Sequence, residues 1–141
     1  MSTSIEHDLD AAGFGTFAGL LRKSRYLEAL DGGGPFTVFA PSEAAFAKFP
    51  HGVMAALQSG DDDVLLRSMV AHHFAAGKVM ARRFTGKRIR AAMYGGHSLI
   101  IDGRNGLRVD TANLVQPDIV SGESVVHGID AVLWPPETAA P

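Results

Sequence analysis

Six histidines and a surplus of carboxylates are the groups in this 141-residue sequence that could do acid–base or metal chemistry, because it contains no cysteine. That absence excludes disulfides, thiolate metal sites and cysteine nucleophiles. His72 and His73 are adjacent, so on a helix they point about 100° apart. A zinc-binding helix carries His at i and i+4, and no such pair occurs. His127 sits in Val125-Val-His-Gly-Ile-Asp130, with apolar neighbours on both sides of an extended chain. His73 and His127 are therefore expected as core histidines whose nitrogens find backbone or carboxylate partners; a metal joining them is the alternative. Asp61-Asp62-Asp63 lacks the alternating acids and distal Glu of a calcium loop and is expected at a helix start, where the helix dipole favours it. Gly13-Phe-Gly15-Thr-Phe-Ala18 matches G-x-G-x-x-A, but no strand precedes it, as a dinucleotide loop requires. Gly96-His97-Ser98 is not a nucleophile elbow, because a strand rather than a helix follows. No catalytic constellation, cofactor or metal is expected.

Charge is unevenly placed. Between Val64 and Ile101 there is no acid, while Arg67, Lys78, Arg82, Arg83, Lys87, Arg88 and Arg90 all fall there. One reading is a solvated face whose arginines pair with acids from elsewhere in the fold. The other is an anion-binding patch for polysaccharide, lipid headgroup or nucleic acid, built on Arg82, Arg83, Lys87, Arg88 and Arg90. The whole chain has net charge −2 and pI near 6.3, which argues against a basic nucleic-acid binder.

The elements that must position these groups follow a helix-then-strand order. Thr16 is the expected N-cap of a helix over Phe17–Leu30, ended by Asp31-Gly-Gly-Gly-Pro35. Phe36–Ala40 reads as a short buried strand. Pro41-Ser42 opens a second helix with Ser42 as N-cap and Glu43 in its first turn, ended by Pro50. A short helix is expected near 53–58. Val64–Phe74 carries an apolar stripe of Leu66, Met69, Val70, His73 and Phe74. Short strands are expected at Lys78–Met80, Arg88–Met93, Ser98–Asp102, Leu107–Asp110, Asn113–Val115, Ile119–Val120, Val125–His127 and Ala131–Leu133. Gly95-Gly96 and Gly103–Gly106 read as hairpin turns between them. Helices followed by strands indicate α+β rather than a parallel α/β sheet.

With 46% hydrophobic and 20% charged residues, the chain can build one packed domain. No apolar run approaches the ~18–20 residues of a membrane helix. The N-terminus has neither a basic n-region nor an apolar h-region, so it does not read as a signal peptide. The chain is either cytoplasmic or a mature chain carrying a new Met.

Three segments together resemble the fasciclin (FAS1) domain family: Gly34-Pro-Phe-Thr-Val-Phe-Ala-Pro-Ser-Glu-Ala-Ala-Phe46, Met69-Val-Ala-His-His-Phe-Ala-Ala-Gly77 and Glu123-Ser-Val-Val-His-Gly-Ile-Asp-Ala-Val-Leu-Trp-Pro135. Pro117-Asp118-Ile119 precedes the last. The similarity covers about 9–136, with 1–8 expected as a flexible leader and 137–141 as a flexible tail. The chain departs from the family pattern with His72 for the usual Tyr, Glu123-Ser124 for Asn-Gly and Asp110 for Asn.

The resemblance implies an α+β fold, a wedge-shaped seven-stranded β-sandwich with N-terminal and edge helices. Thr37, Phe39, Pro41, Ser42, Phe46, His127 and Asp130 would carry structure. It also implies a non-catalytic, monomeric adhesion module that binds a protein on a cell surface or in matrix, and an extracellular, periplasmic or cell-surface location. Asp118 and Ile119, then His73 and His72, would be the partner-contacting residues. An apolar anchor beside a carboxylate supplies both burial and register in recognition.

Overall fold

The computed structural model describes residues 3–26, 30, 35–48, 52, 54–55, 57, 63–94 and 96–133. Helices α1 (Thr3–Ala11) and α2 (Gly15–Ser24) come first, then strand β1 (Phe36–Pro41) and the short helix α3 (Glu43–Ala47). Helix α4 (Asp63–Ala71) leads into β2 (Phe74–Ala76) and a 3-10 turn at Ala81–Arg83. The remaining strands are β3 (Arg88–Ala92), β4 (Ser98–Asp102), β5 (Arg108–Val109), β6 (Ala112–Ser121) and β7 (Ser124–Ile129).

The seven strands form one mixed sheet in the order β2-β1-β7-β6-β5-β4-β3. All neighbours are antiparallel except β1 and β7, which run parallel with Thr37 opposite Val125 and Phe39 opposite His127. The sheet curls on itself. A bridge from Ala75 to Met93 ties edge strand β2 to the end of β3, and the Tyr94 N–H donates to the Phe74 carbonyl at 2.9 Å. The α+β class, the seven strands and the wedge-shaped sandwich expected from the sequence are all present.

Alternation along β1 divides the interior in two. Phe36, Val38 and Ala40 face the helices and pack with Leu9, Phe17, Leu21, Leu66 and Phe74. Phe39 points the other way, into a second core with Leu99, Ile101, Val109 and Ile129 inside the curled sheet. Burial on both faces explains why β1 reads as a continuous apolar run.

Several local expectations need correction. Residues 3–8 are not a loose leader: they belong to α1, which buries Ile5 and Leu9. The helix expected over Phe17–Leu30 corresponds to α2, which starts at Gly15 and ends at Ser24, where Arg25 adopts φ 56. Thr16 is not its N-cap. The N-cap position, Phe14, offers no side-chain bond, and Glu43 from α3 supplies the acceptor instead. The Glu43 carboxylate takes the Thr16 N–H at 2.9 Å and the Thr16 hydroxyl. Ser42 caps α3 as expected, accepting the Ala45 N–H at 3.1 Å. Phe74 has left the helix for β2. Lys78–Met80 and Ala131–Leu133 are not strands. Asn113–Val115 and Ile119–Val120 are one strand, β6, interrupted by register shifts between Leu114 and Gln116 and between Gln116 and Ile119. Of the helix expected near 53–58, Met54, Ala55 and Leu57 are helical. The breaker at 31–34, Pro50, Asp61, Asp62, Gly95 and the tail at 137–141 lie outside the described residues.

Candidate functional site

The irregular stretch of β6 and the strap from Gly77 to Arg83 meet at His127. Among the described residues 78–80 pair with no strand; the Gly77 N–H donates to the Pro35 carbonyl at 3.0 Å, and side chains satisfy much of the rest of the strap. The Thr37 hydroxyl donates to the Gly77 carbonyl at 2.7 Å and accepts the Val79 N–H at 2.9 Å. His127 Nε2 lies 2.8 Å from the Val79 carbonyl. A carbonyl only accepts, so Nε2 carries the proton and Nδ1 is free to accept the Asp118 N–H at 3.1 Å. Asp118 Oδ1 then accepts the Ala81 N–H at 2.8 Å and caps the 3-10 turn. The imidazole is buried, and burial pushes its pKa down against the pull of the Val79 carbonyl and the Asp118 carboxylate. His127 is a neutral clasp joining β7, β6 and the strap. Its expected core role holds, and no metal is needed to satisfy its nitrogens.

Asp118 was expected as a surface contact residue. Its side chain is 38% exposed, but one oxygen is committed to the 3-10 turn and its backbone is left-handed at φ 60. Ile119, its neighbour, is half-buried and packs against the helix-side core.

His72 and His73 are inside the protein, not on a recognition surface. The helix ends at Ala71, and both rings turn inward from the loop that follows. His73 Nδ1 donates to the Met69 carbonyl at 2.7 Å, and Nε2 accepts the Leu133 N–H at 3.0 Å. Complete burial pushes its pKa down to about 3. His72 is 1% exposed, and its Nδ1 has no hydrogen-bond partner. Its ring stands edge-on to His97 at 5.8 Å. Burial and then His97 lower its pKa, while Asp110 opposes them. Two buried rings cannot touch a partner, so these residues are withdrawn as direct contacts.

Asp130 joins β6 to the end of β7. Its carboxylate accepts the Asn113 N–H at 2.7 Å and the Asn113 side-chain amide at 2.9 Å. Partial burial raises its pKa, but the Asn113 bonds outweigh this and hold it below the usual carboxylate value.

The basic stretch divides by role. Arg67 Nε donates to the Ser24 carbonyl at 2.9 Å, placing its charge at the C-terminal end of α2. Arg88 lies 3.9 Å from Asp102, which also holds Arg104. Arg82, Arg83, Lys87 and Arg90 are exposed and form no ion pair among the described residues. The expectation that the stretch would be neutralised by acids from elsewhere therefore holds for Arg88 alone among these five.

Sequence reasoning overlooked Val115 and Val120, which are 54% and 51% exposed. They flank Pro117-Asp118 on β6 and, with Val64, are the exposed large hydrophobics among the described residues. The available signal was a valine on either side of a strand proline, where a bulge turns side chains out of regular alternation.

Other constellations dissolve. Gly13–Ala18 runs from the turn after α1 into the first turn of α2, with a helix and not a strand ahead of it. Ser98 opens β4 at an exposed position, without a following helix. Among the described residues no three His or acidic groups could hold a metal ion, and no helix is long and apolar enough to cross a membrane.

Comparison with known proteins agrees with this architecture. A family profile described as the fasciclin domain matches residues 12–135. The chain belongs to the fasciclin domain family, a non-catalytic adhesion fold. It is 31% identical over 124 residues to protein sll1483 of Synechocystis sp., covering 87% of this chain and 68% of that protein. It is 36% identical over 104 residues to the cell surface glycolipoprotein MPB83 of Mycobacterium bovis, covering 74% of this chain and 46% of that protein. The immunogenic protein MPB70 of the same organism is 34% identical over 104 residues, covering 73% and 51%. The chain thus spans about half the length of these mycobacterial relatives. A FAS1 domain pair from the insect cell adhesion molecule Fasciclin I superposes with a TM-score of 0.52 at 18% identity, covering 85% of this chain and 47% of that one. That likeness is one of fold.

Proposed function

We propose that this domain is a non-catalytic adhesion module, located outside the cell membrane, that binds a protein partner through the irregular part of β6. The contact residues are Val115 and Val120 as apolar anchors, with Ile119 beneath them and Asp118 setting register. The observation that supports the reading is the exposure of those two valines beside a strained, hydrogen-bonded Asp118. Exposed apolar side chains rimmed by polar groups mark interaction surfaces. A cell-surface relative and the adhesion character of the family support the same location and class.

The test immobilises the wild-type domain beside a Val115→Ser/Val120→Ser variant with an unchanged circular dichroism spectrum. Both are challenged with cell-surface protein extracts at about 1 M salt, where the Debye length is only about 3 Å and surface electrostatics are screened. The expected result is a protein held by wild type and released from the variant. Equal retention by both, or none by either, removes β6 as the contact surface.

A further inference from the structure

A cavity of about 300 Å³ opens between the strap, β2, β3 and the interior of the curled sheet. Phe39, Phe84, Ile89, Ala91 and Ile101 form its apolar walls, and Arg83 and Lys87 are the charged residues that line it. We propose that this cavity binds a single-chain, medium-length aliphatic carboxylate. The tail lies against the aromatic and aliphatic walls, and the headgroup lies between Arg83 and Lys87. The adhesion reading is independent of this one, since β6 supplies none of the lining residues.

Three observations lead there. First, the lining contains two cations and no acid. Both cations are exposed, which puts them at the mouth, and neither has an ion-pair partner among the described residues. An anion would meet two unneutralised donors, with arginine able to bind a carboxylate through two parallel bonds. Second, Thr37 is the other polar side chain of the lining, and its hydroxyl is already engaged with Gly77 and Val79. Apart from the two cations, the lining side chains therefore offer a ligand mainly apolar contact, as suits an alkyl chain rather than a sugar or a nucleotide. Third, the volume holds roughly ten groups of about 30 Å³, the volume of a water in the liquid, which matches a chain near ten carbons. The walls are held in place: Val79 is fixed through both its N–H and its carbonyl, and the turn bearing Arg83 is capped by Asp118.

Titration calorimetry on the full chain with decanoate tests the site, beside decanol, decyltrimethylammonium and phosphatidylglycerol vesicles. Decanoate should bind saturably at one per chain, decanol at least about tenfold more weakly, and the cation not at all. Arg83→Gln/Lys87→Gln should weaken decanoate by about tenfold or more and leave decanol unchanged. Ala91→Leu, which fills the cavity, should weaken both. Ala76→Leu, at an exposed position of the same lining, serves the same purpose if Ala91→Leu lowers the thermal midpoint sharply. Absence of decanoate binding overturns the proposal. So does decanoate affinity unchanged in a folded, cavity-filled variant, since that places the anion on the surface alone. Binding to the vesicles without binding to decanoate also overturns it, in favour of a bilayer meeting the basic stretch.

Discussion

His127 accepts a hydrogen bond from the backbone of Asp118 at 3.1 Å, while the Asp118 side chain reaches past it to the Ala81 N–H at 2.8 Å. Strand β6, strand β7 and the strap are thereby closed into one unit. Asp118, the expected contact residue, is part of the scaffold.

Asp118→Ala should therefore destabilise the domain by about 2–3 kcal/mol. It removes the cap on the 3-10 turn, worth about 1 kcal/mol, and forces a Cβ-bearing residue without a local hydrogen bond to hold φ 60, at about 1–2 kcal/mol. Asp118→Asn keeps an acceptor oxygen and tolerates the left-handed backbone, so it should stay within about 0.5 kcal/mol of wild type. Urea unfolding of both variants checks this. Equal losses would assign the effect to charge rather than geometry.

Stability should decline as pH falls from about 7 to 5, above the usual carboxylate range. His72, His73 and His127 all have folded pKa values below the unfolded value near 6.5. Below that value the unfolded chain binds protons that the folded chain excludes, so acid favours unfolding. The stabilisation is complete above the unfolded pKa and is lost as pH drops toward the folded values, about 3 for His73. Each histidine contributes a slope of up to about 1.4 kcal/mol per pH unit while its unfolded form titrates. Urea midpoints measured between pH 8 and 5 should show the fall, and a flat profile would contradict the buried, neutral imidazoles.

Two glycines are fixed by space rather than by φ. A Cβ on Gly103 would lie 2.0 Å from the Phe84 carbonyl oxygen, which is backbone and cannot swing aside. A Cβ on Gly128 would meet the Phe14 ring at 2.6 Å and Gln116 Cβ at 3.0 Å. Gly128→Ala should cost about 1–3 kcal/mol, the usual range for overpacking, and Phe14→Leu should recover part of it. Gly103→Ala should cost more than that, with no side-chain substitution able to relieve it. Thermal midpoints of the three variants and the Gly128→Ala/Phe14→Leu pair decide the matter.

Much of this architecture can be read from the chain. Phe36–Ala40 followed by Pro41-Ser42 announces a strand buried on both faces and a capped helix, because pattern and cap agree there. Elements defined by long-range partners were not readable. The acceptor for the first turn of α2 comes from Glu43, 27 residues from Thr16, and not from the N-cap residue Phe14. The strap at 78–80 has strand-like composition, yet its hydrogen bonds go to the side chains of Thr37 and His127 rather than to a neighbouring strand. Phe74 continues the apolar period of α4 into β2, so periodicity alone could not find the helix end. The expected divergence of His72 and His73 assumed a helix, which ends at Ala71, and spacing gave no sign that the loop turns both rings inward. The register shifts in β6 divide one strand into two apparent ones, and Val115, Asp118 and Val120 are each exposed along it.

The parallel pairing of β1 with β7 also governs the order in which the protein can assemble. Phe36 donates its N–H to the Ser124 hydroxyl across a separation of 88 residues. On the ribosome, at about 5–20 residues per second, β1 therefore leaves the synthetic machinery roughly 4–18 s before its parallel partner exists. During that interval β2, whose Ala76 sits opposite Phe36, can cover one edge of β1. The other edge stays open, and an apolar strand with an open edge invites pairing with another nascent chain.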